Sequence, residues 1–286
     1  MNRLDVARRA AEAGAEVAMS FARKPRNGAL APSGSEAGSL RRWTKPDGSL
    51  VTEADLAAER AVIETLHHLA PGEPVLAEES GGADTLENTW IVDPIDGTEN
   101  FNRRIPIWAT LVAWHGSASE GVTAAAVNAP ALGRQWWAEL GGGAFGPGGR
   151  IHVSDVRDPS SGCICVGGLH EYAPDLWERV ADAAAEFHTA WGWGNFWGHM
   201  LVAEGSVEAA LSSGTQVWDV AAVSLIVTEA GGRWTDLRGV PDLRSGSFLS
   251  GNAELHRPLL HSISPQGHGT LVAERQADSR QTERKA

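Results

Sequence analysis

The sequence predicts a layered protein of mixed α+β and α/β class, and three features of its pattern support this. Apolar residues at helical spacing open the chain. Short apolar runs separated by turn residues follow in the first half, as in an antiparallel sheet. In the second half strands alternate with helices, which is typical of a sheet covered on its faces. With 286 residues, 42% of them hydrophobic, the chain is long enough to bury a sizeable core in one large or two medium domains.

Two predicted helices begin the first half. Residues 2–23 carry small apolar side chains at i, i+3 and i+4, the pattern of an amphipathic helix. Residues 26–42 are rich in Gly, Ser, Ala and Pro and predict a flexible loop. A second helix follows, because Thr52 is a good N-cap and Asp55, three positions later, approaches the capping-box pattern. The Pro-Gly pair at 71–72 ends that helix.

Strands make up the rest of the first half. Residues 74–80 predict a short strand that ends in two carboxylates. Residues 90–92 predict the end of a buried strand, which Pro94 stops because proline cannot donate a ladder hydrogen bond. Three further predicted strands form an antiparallel meander over residues 107–114, 121–127 and 134–139.

The second half alternates between strand and helix. Predicted strands cover 162–167, 188–192, 207–211, 233–236 and 247–250, and predicted helices cover 174–187, 195–204, 217–230 and 252–262. The glycine-rich run 141–149 marks the domain boundary. We therefore predict an N-terminal α+β domain over 1–149, a C-terminal α/β domain over 150–263, and a polar, disordered tail over 264–286.

Composition excludes several classes of partner. The formal net charge of −12, from 24 basic and 36 acidic residues, argues against a nucleic acid or an anionic membrane. No apolar run reaches membrane-spanning length, and the N-terminus lacks the uninterrupted apolar core of a secretory signal. The two cysteines, Cys163 and Cys165, are too few for a disulfide framework or a zinc quartet. A reducing cytoplasm is therefore the predicted location.

The stretch Asp93-Pro-Ile-Asp-Gly-Thr98 carries the clearest chemical signal. Asp93 and Asp96 flank Pro94, so two carboxylates lie close together where a strand ends. Gly97 and Thr98 follow where a helix can begin. Carboxylates beside the free N–H groups of a helix start form a site for a hard cation and an anion, such as Mg²⁺ with phosphate. The alternative is a Pro-Gly turn that carries two solvated aspartates.

A third acid and the order of several motifs extend this signal. Asp219 lies in the first turn of the predicted helix 217–230, where the helix dipole favours a negative charge and a cation can be faced. The motifs that occur in order are Val51-Thr-Glu-Ala-Asp55, Ala77-Glu-Glu-Ser80, Asp93-Pro-Ile-Asp-Gly-Thr98, Trp218-Asp-Val-Ala-Ala222 and Glu229-Ala-Gly-Gly232. Together they resemble the inositol monophosphatase family of Mg²⁺-dependent, lithium-sensitive phosphomonoesterases. The resemblance runs from the first helix to about residue 262.

This resemblance implies a fold, a cofactor and a set of residue roles. The fold is the layered αβαβα sandwich shared with fructose-1,6-bisphosphatase, in a homodimer that binds two to three Mg²⁺ ions and is inhibited by Li⁺. The implied ligands of the first ion are Glu78, Asp93 and the carbonyl of Ile95, those of the second are Asp93, Asp96 and Asp219, and Glu78 assists a third. Asp55 and Thr98 orient the water that attacks phosphorus in line, without a covalent phosphoenzyme, while the N–H groups of Gly97 and Thr98 hold the phosphate.

Within the family the sequence resembles the histidinol-phosphatase branch. The stretches that carry this are 104–111, 129–138, 142–145 and 201–205. Gly194, Asn195, Ser212 and His170 are the predicted substrate contacts. Asn195 stands where that branch tends to carry Asp, and the run 212–216 lacks the acid often found before the Trp-Asp motif. Both departures weaken the case for a cationic substrate, so inositol 1-phosphate or a sugar phosphate stays open beside histidinol phosphate.

Several other features leave alternatives open. Glu99 stands next to the predicted phosphate position, where it either repels anions, selects a cationic substrate, or faces water. Trp191, Trp193 and Trp197 either stack on a substrate ring or pack in the core.

Two other functions are weighed against a phosphatase of small phosphomonoesters. A nucleotidase for a 3′-phosphoadenosine compound needs a second phosphate pocket, and Arg179 is the only Arg or Lys between 165 and 215. A catalytically silent binding protein is argued against by the intact set of predicted ligands.

Overall fold

The computed structural model of the protein describes residues 1–22, 40–46 and 48–265. Its helices are α1 (Arg3–Ala22), α2 (Glu53–Leu69), α3 (Thr98–Arg103), α4 (Pro174–Ala184), α5 (Asn195–Ala203), α6 (Val217–Glu229) and α7 (His256–Ile263). Its strands are β1 (Arg42–Thr44), β2 (Leu50–Thr52), β3 (Val75–Ala77), β4 (Gly81–Gly82), β5 (Thr89–Asp96), β6 (Ala109–His115), β7 (Val122–Ala129), β8 (Arg134–Glu139), β9 (Gly143–Gly146), β10 (Gly149–Arg150), β11 (Cys163–Val166), β12 (Thr189–Trp191), β13 (Ala209–Ser213), β14 (Arg233–Thr235) and β15 (Ser247–Gly251). Most of the predicted loop 26–42 and of the predicted tail 264–286 lies outside the described residues.

Two large sheets and three helical layers form the fold, beside a small antiparallel sheet of β1 and β2. The first sheet has eight strands in the order β10-β9-β8-β7-β6-β5-β3-β4, and the second has five in the order β12-β11-β13-β15-β14. Helices α1 and α2 cover the outer face of the first sheet. Helices α5 and α6 lie between the two sheets, and α4 and α7 cover the outer face of the second. The predicted αβαβα sandwich is therefore confirmed.

The alternation of side chains along a strand explains how the first sheet contributes to two hydrophobic cores, one on each face. Trp90 and Ile91 are neighbours on β5, yet Trp90 packs against α1 and α2 while Ile91 packs against α6. This follows from the period of two in a strand, which points successive side chains to opposite faces. Gly14 of α1 lets that helix approach closely, because a Cβ there would lie 2.5 Å from Cγ2 of Val62. The glycine that weakens the helix locally therefore serves the packing.

The antiparallel meander predicted over 107–139 is confirmed as β6 to β8, whereas the prediction for β5 needs one change. Strands β5 to β9 pair antiparallel in sequence order, whereas β3 pairs parallel to β5. The prediction that Pro94 stops the strand is wrong, because β5 continues to Asp96. The register shifts between Asp93 and Asp96, so Pro94 lies in an irregularity of the ladder, where a proline without an N–H is tolerated. Its carbonyl accepts a 2.8 Å hydrogen bond from Oγ1 of Thr110.

The glycine-rich run 141–149 does not form a linker. It builds strand β9 and the start of β10, an antiparallel hairpin at the edge of the first sheet. Helix α6, from the second half of the chain, also packs on this first sheet. The division into residues 1–149 and 150–263 stays a prediction.

Helix boundaries differ from prediction mainly at two ends. Helix α4 ends at Ala184 rather than at 187, and α7 begins at His256 rather than at 252. Before α7, the side chain of Asn252 accepts the N–H of Leu255 at 2.8 Å. Such side-chain hydrogen bonds compete with helical ones, which explains the later start. None of the helices in the described ranges is long and apolar enough to span a membrane.

Candidate active site

Three aspartates converge at the end of β5. Asp93 and Asp96 come from β5, and Asp219 comes from the first turn of α6. One carboxylate oxygen from each lies within 4.8 Å of the other two. In a regular strand, residues three apart point to opposite faces. The irregularity between Asp93 and Asp96 changes that parity, which brings both carboxylates to the same group.

The electrostatics of this group suit a cation. Burial, reinforced by the charges of neighbouring carboxylates, raises the pKa of Asp93 and Asp219 well above the usual range. Burial also raises the pKa of Asp96, to about 7. Oδ1 of Asp93 is buried without a hydrogen-bond partner. Several buried acids that repel one another, with one oxygen unpartnered, fit a divalent cation, because Mg²⁺ prefers oxygen ligands.

Asp96 is held by the start of α5. The side-chain amide of Asn195 donates to its Oδ1 at 3.0 Å, and the backbone N–H of Phe196 donates to its Oδ2 at 2.5 Å. Asn195 has a φ of 59°, a left-handed conformation that asparagine tolerates better than most residues. Asn195 lines the cavity, as expected for a substrate contact, but its amide is directed to an acid of the candidate metal site.

Glu78 is paired with a cation that the sequence did not point to. Nζ of Lys45 lies 2.8 Å from Oε1 of Glu78 and 2.8 Å from Oε2 of Glu79. Burial alone lowers the pKa of Lys45, but the hydrogen bonds and charges of the two glutamates outweigh it and raise that pKa above its ordinary value. Burial and the charge of Glu78 raise the pKa of Glu79 to about 7. Lys45 is one of only three lysines in the chain, the sole sequence signal that could have marked it.

Asp55 and Thr98 form a second hydrogen-bonded unit. Oγ1 of Thr98 lies 3.0 Å from Oδ1 of Asp55 and 3.1 Å from the carbonyl oxygen of Ile95. The predicted capping box of α2 is confirmed, because the side chain of Thr52 accepts from the backbone of the first helical turn and the N–H of Thr52 donates to Oδ2 of Asp55 at 2.8 Å. The hydroxyl of Thr52 also donates to this oxygen, at 2.5 Å. Burial raises the pKa of Asp55 to about 6, although the hydrogen bonds from Thr52 oppose this rise. The same carboxylate therefore caps a helix and fixes a hydroxyl.

Gly97 makes the turn between β5 and α3 possible. Its φ is 89°, and a Cβ at this position would lie 2.9 Å from the carbonyl oxygen of Ile107. A left-handed conformation with backbone this close favours glycine. Thr98 begins α3 immediately afterwards, which places its hydroxyl against Asp55.

A cavity of about 520 Å³ joins these groups. The predicted site residues that line it are Glu78, Asp93, Ile95, Asp96, Gly97, Thr98, His170, Asn195, Ser212 and Asp219. Asp55 is fully buried and reaches the cavity wall through Thr98. Gly194 was predicted to contact substrate, but it does not line the cavity. It packs against the backbone of Gly167 instead, where a Cβ on Gly194 would lie 2.9 Å from Cα of Gly167.

The second half of the chain contributes an uncharged histidine, His199, to the cavity wall. Nε2 of His199 lies 3.0 Å from Oγ of Ser212, and its Nδ1 lies 2.8 Å from Oγ of Ser250. Burial lowers the pKa of His199 to about 3, so its imidazole is uncharged at neutral pH. His199 lines the cavity as well. No sequence pattern separated it from an ordinary core histidine.

The tryptophans near α5 do not form a pocket wall. Trp191 and Trp193 are 49% and 43% exposed, so the prediction of core packing is wrong for both, and neither lines the cavity. Trp197 instead packs against Trp136 and Phe196 with ring centroids 6.0 and 6.2 Å apart. The stacking hypothesis therefore has no support from these three rings.

The sequence is similar to one known protein family and to several of its members. The sequence model of the inositol monophosphatase family matches residues 2–268. A histidinol-phosphatase of Mycobacterium tuberculosis is 44% identical over 234 residues, which is 79% of this chain and 88% of the relative. A histidinol-phosphatase of Streptomyces coelicolor is 39% identical over 229 residues, or 77% of this chain and 86% of the relative.

A solved structure shares the fold. The inositol monophosphatase of Thermotoga maritima superimposes with a TM-score of 0.77 at 26% sequence identity. The match covers 96% of this chain and 99% of that one.

Proposed function

This chain belongs to the inositol monophosphatase family and is a phosphoric monoester hydrolase, and we propose that it is a Mg²⁺-dependent phosphatase of a small metabolite, with histidinol phosphate as the first candidate. The observation that carries the proposal is the group of three aspartates with carboxylate oxygens within 4.8 Å of one another. The unpartnered, buried Oδ1 of Asp93 supports it further.

The residues divide into metal ligands and groups that act without the metal. Asp93, Asp96 and Asp219 would hold metal, with Glu78 and the carbonyl of Ile95 assisting. When bound, the metal supplies positive charge that neutralises the phosphoryl oxygens and acidifies a water molecule. The number of ions, two to three, and inhibition by Li⁺ belong to this proposal.

Asp55 and Thr98 would position the attacking water. Because Oγ1 of Thr98 donates its single proton to Asp55 or to the carbonyl of Ile95, it would act only as an acceptor toward a water molecule. A water molecule that donates a hydrogen bond to this fixed oxygen would have a restricted orientation, with its lone pairs free to attack a substrate. The backbone N–H groups of Gly97 and Thr98, both in the cavity wall, would hold the phosphate.

Histidinol phosphate comes first because the two relatives at 44% and 39% identity are histidinol-phosphatases. Inositol 1-phosphate or a sugar phosphate comes second, since the side chains of Ser212 and Asn195 are themselves uncharged and can hydrogen-bond to hydroxyl groups. A bisphosphorylated nucleotide fits worst, because the described residues that line the cavity include no Arg or Lys. A second phosphate would have no positive side chain to meet there.

A phosphate-release panel tests the proposal. Purified protein with Mg²⁺ is given histidinol phosphate, inositol 1-phosphate, fructose 1,6-bisphosphate and 3′-phosphoadenosine 5′-phosphate. We expect histidinol phosphate to lead in kcat/KM. A lead for a sugar or cyclitol phosphate would replace the substrate but keep the chemistry. No release from any of them, with Mg²⁺ still bound, would favour a silent binding protein.

Location and assembly are proposed on the resemblance and composition. We expect a cytoplasmic homodimer whose partner is a small phosphorylated metabolite, with neither nucleic acid nor membrane as ligand. Size-exclusion chromatography with light-scattering detection measures the molar mass in solution, and the mass of a monomer would contradict the proposed dimer.

A further inference from the structure

Glu171 places a carboxylate in the wall of the cavity. It ends the short 3-10 turn Leu169–Glu171 that follows β11. Glycines make room for it: a Cβ on Gly168 would lie 2.8 Å from its Oε2, and a Cβ on Gly214 would overlap the carboxylate. All three residues line the cavity that contains the aspartate group. The carboxylate of Glu171 therefore occupies space that a side chain at position 168 or 214 would otherwise fill.

This carboxylate has no fixed cation. Within the described ranges, no Arg or Lys lies within ion-pair distance of Glu171, and its only such neighbour is the exposed imidazole of His170 at 3.7 Å. Partial burial raises the pKa of Glu171, as expected for an acid that has lost water without gaining a strong partner. Its side chain keeps 36% exposure, so a ligand in the cavity can reach it.

Glu99, the acid that the sequence places next to the predicted phosphate position, already has a cationic partner. It lies on α3 and its Oε1 accepts a 2.5 Å hydrogen bond from Nε of Arg103, one helical turn away. Glu99 therefore has an arginine partner within the protein, although the pair is exposed. Asn195 and Ser212 are uncharged, so they bring no acid to the wall either.

We propose that Glu171 is a specificity-determining residue that receives the protonated amine of an amino-alkyl phosphate substrate. The inference rests on the proposed function and selects, within it, a cationic substrate over a neutral polyol phosphate. It also explains how this cavity serves such a substrate although Asn195 stands where the branch tends to carry Asp and the run 212–216 carries no acid. The negative charge comes instead from Glu171, whose carboxylate lies against Gly168 and Gly214 in the same cavity.

The test compares two substrates that differ only in the amine. The ratio of kcat/KM for histidinol phosphate to that for its N-acetyl derivative, which lacks the positive charge, is measured for the wild type, Glu171→Gln and Glu99→Gln. p-Nitrophenyl phosphate with Mg²⁺ is the reference for phosphatase chemistry. A charge-assisted hydrogen bond corresponds to about 10- to 100-fold in kcat/KM. We expect Glu171→Gln to lower the ratio by that factor and Glu99→Gln to leave it within about twofold.

The outcomes distinguish a failure of the role proposed for Glu171 from a failure of the proposed phosphatase function. An equal ratio in the wild type and Glu171→Gln, with p-nitrophenyl phosphate still hydrolysed, overturns the role of Glu171 but not the phosphatase. A loss of ratio in Glu99→Gln instead assigns the amine to Glu99 and also overturns the inference. No Mg²⁺-dependent hydrolysis of p-nitrophenyl phosphate by the wild type overturns the proposed function itself.

A second measurement does not depend on the folding of a variant. Histidinol and N-acetylhistidinol are compared as competitive inhibitors of p-nitrophenyl phosphate hydrolysis by the wild type. We expect histidinol to have an inhibition constant about 10-fold or more lower. Equal constants would contradict an anionic contact to the amine.

Discussion

The side-chain amide of Asn195 donates a hydrogen bond of 3.0 Å to Oδ1 of Asp96, although the two residues are 99 positions apart in the chain. This contact, with the N–H of Phe196 on the other oxygen, fixes one of the three aspartates of the candidate metal site from the start of α5. A neutral amide suits this position, because a carboxylate in its place would face another carboxylate.

Replacing Asn195 is expected to weaken metal binding. Asn195→Gly removes the amide and keeps a residue that accepts the φ of 59°. Loss of a hydrogen bond that orients a metal ligand typically costs about 10- to 100-fold in metal affinity, so we expect a rise of that size in the Mg²⁺ dissociation constant by calorimetry. Asn88→Gly is the matched control, since Asn88 also has a positive φ, of 51°, and precedes the opposite end of β5. Equal Mg²⁺ affinity in both variants would contradict the role.

Lys45 is expected to stabilise the metal-free protein. Lys45→Met keeps the length of the side chain but leaves Glu78 and Glu79 without their cation, and breaking a largely buried ion pair costs about 3 kcal/mol. Urea unfolding in the presence of a chelator measures this loss, and Mg²⁺ should restore more stability to the variant than to the wild type. Arg103→Met, which removes an exposed pair with Glu99, should cost less than about 1 kcal/mol. Similar losses in the two variants would count against a special role of Lys45.

Thr98 is expected to act on turnover more than on binding. Thr98→Val removes the hydroxyl that contacts Asp55 but keeps the shape of the side chain, whereas Thr98→Ser keeps the hydroxyl. Loss of a positioned catalytic group commonly lowers kcat about 100-fold or more. We expect that loss in Thr98→Val with little change in KM, and near-normal kcat in Thr98→Ser. A rise in KM alone would show that the hydroxyl binds substrate instead.

His199 is expected to make stability fall in acid. Its pKa in the folded protein is about 3, below the ordinary value of about 6.5. The unfolded chain therefore takes up a proton below about pH 6.5 that the folded protein does not. Stability from this residue is complete above that pH and is lost at about 1.4 kcal/mol per pH unit below it.

Urea unfolding at pH 7 and pH 5 measures this effect in His199→Gln. The variant should lose about 2 kcal/mol less than the wild type between the two pH values, because glutamine does not titrate. His68→Gln, on the exposed surface of α2, is the control for loss of a histidine. A pH dependence in His199→Gln equal to that of the wild type would contradict a buried, neutral imidazole.

Much of the fold could be predicted because local patterns agreed with the final packing. The capping box at Thr52 and the meander β6 to β8 depend on residues close in sequence, and both appear where the pattern placed them. Pro94 misled the prediction, because a local rule about proline holds for a regular ladder and the strand is irregular there. That irregularity is set by pairing with β6, which no local window contains.

The parts of the site that escaped prediction all depend on long-range contacts. Lys45 reaches Glu78 across 33 residues, and His199 joins Ser212 and Ser250 from three different elements. Asn195 was predicted as a substrate contact because its position in the chain matched one, but its amide meets Asp96. Motifs identified the acids of the site, whereas the partners of those acids follow only from the tertiary arrangement.

The most direct test of the central claim is Mg²⁺-dependent hydrolysis of p-nitrophenyl phosphate by the wild type and by Asp93→Asn. Asp93 is buried, contributes the unpartnered oxygen, and belongs to the group of three aspartates. We predict hydrolysis by the wild type that disappears with a chelator and falls about 1000-fold in Asp93→Asn, while Asp175→Asn, at an exposed aspartate paired with Arg179, keeps wild-type activity. Hydrolysis that persists in Asp93→Asn, or that needs no metal, would contradict the account.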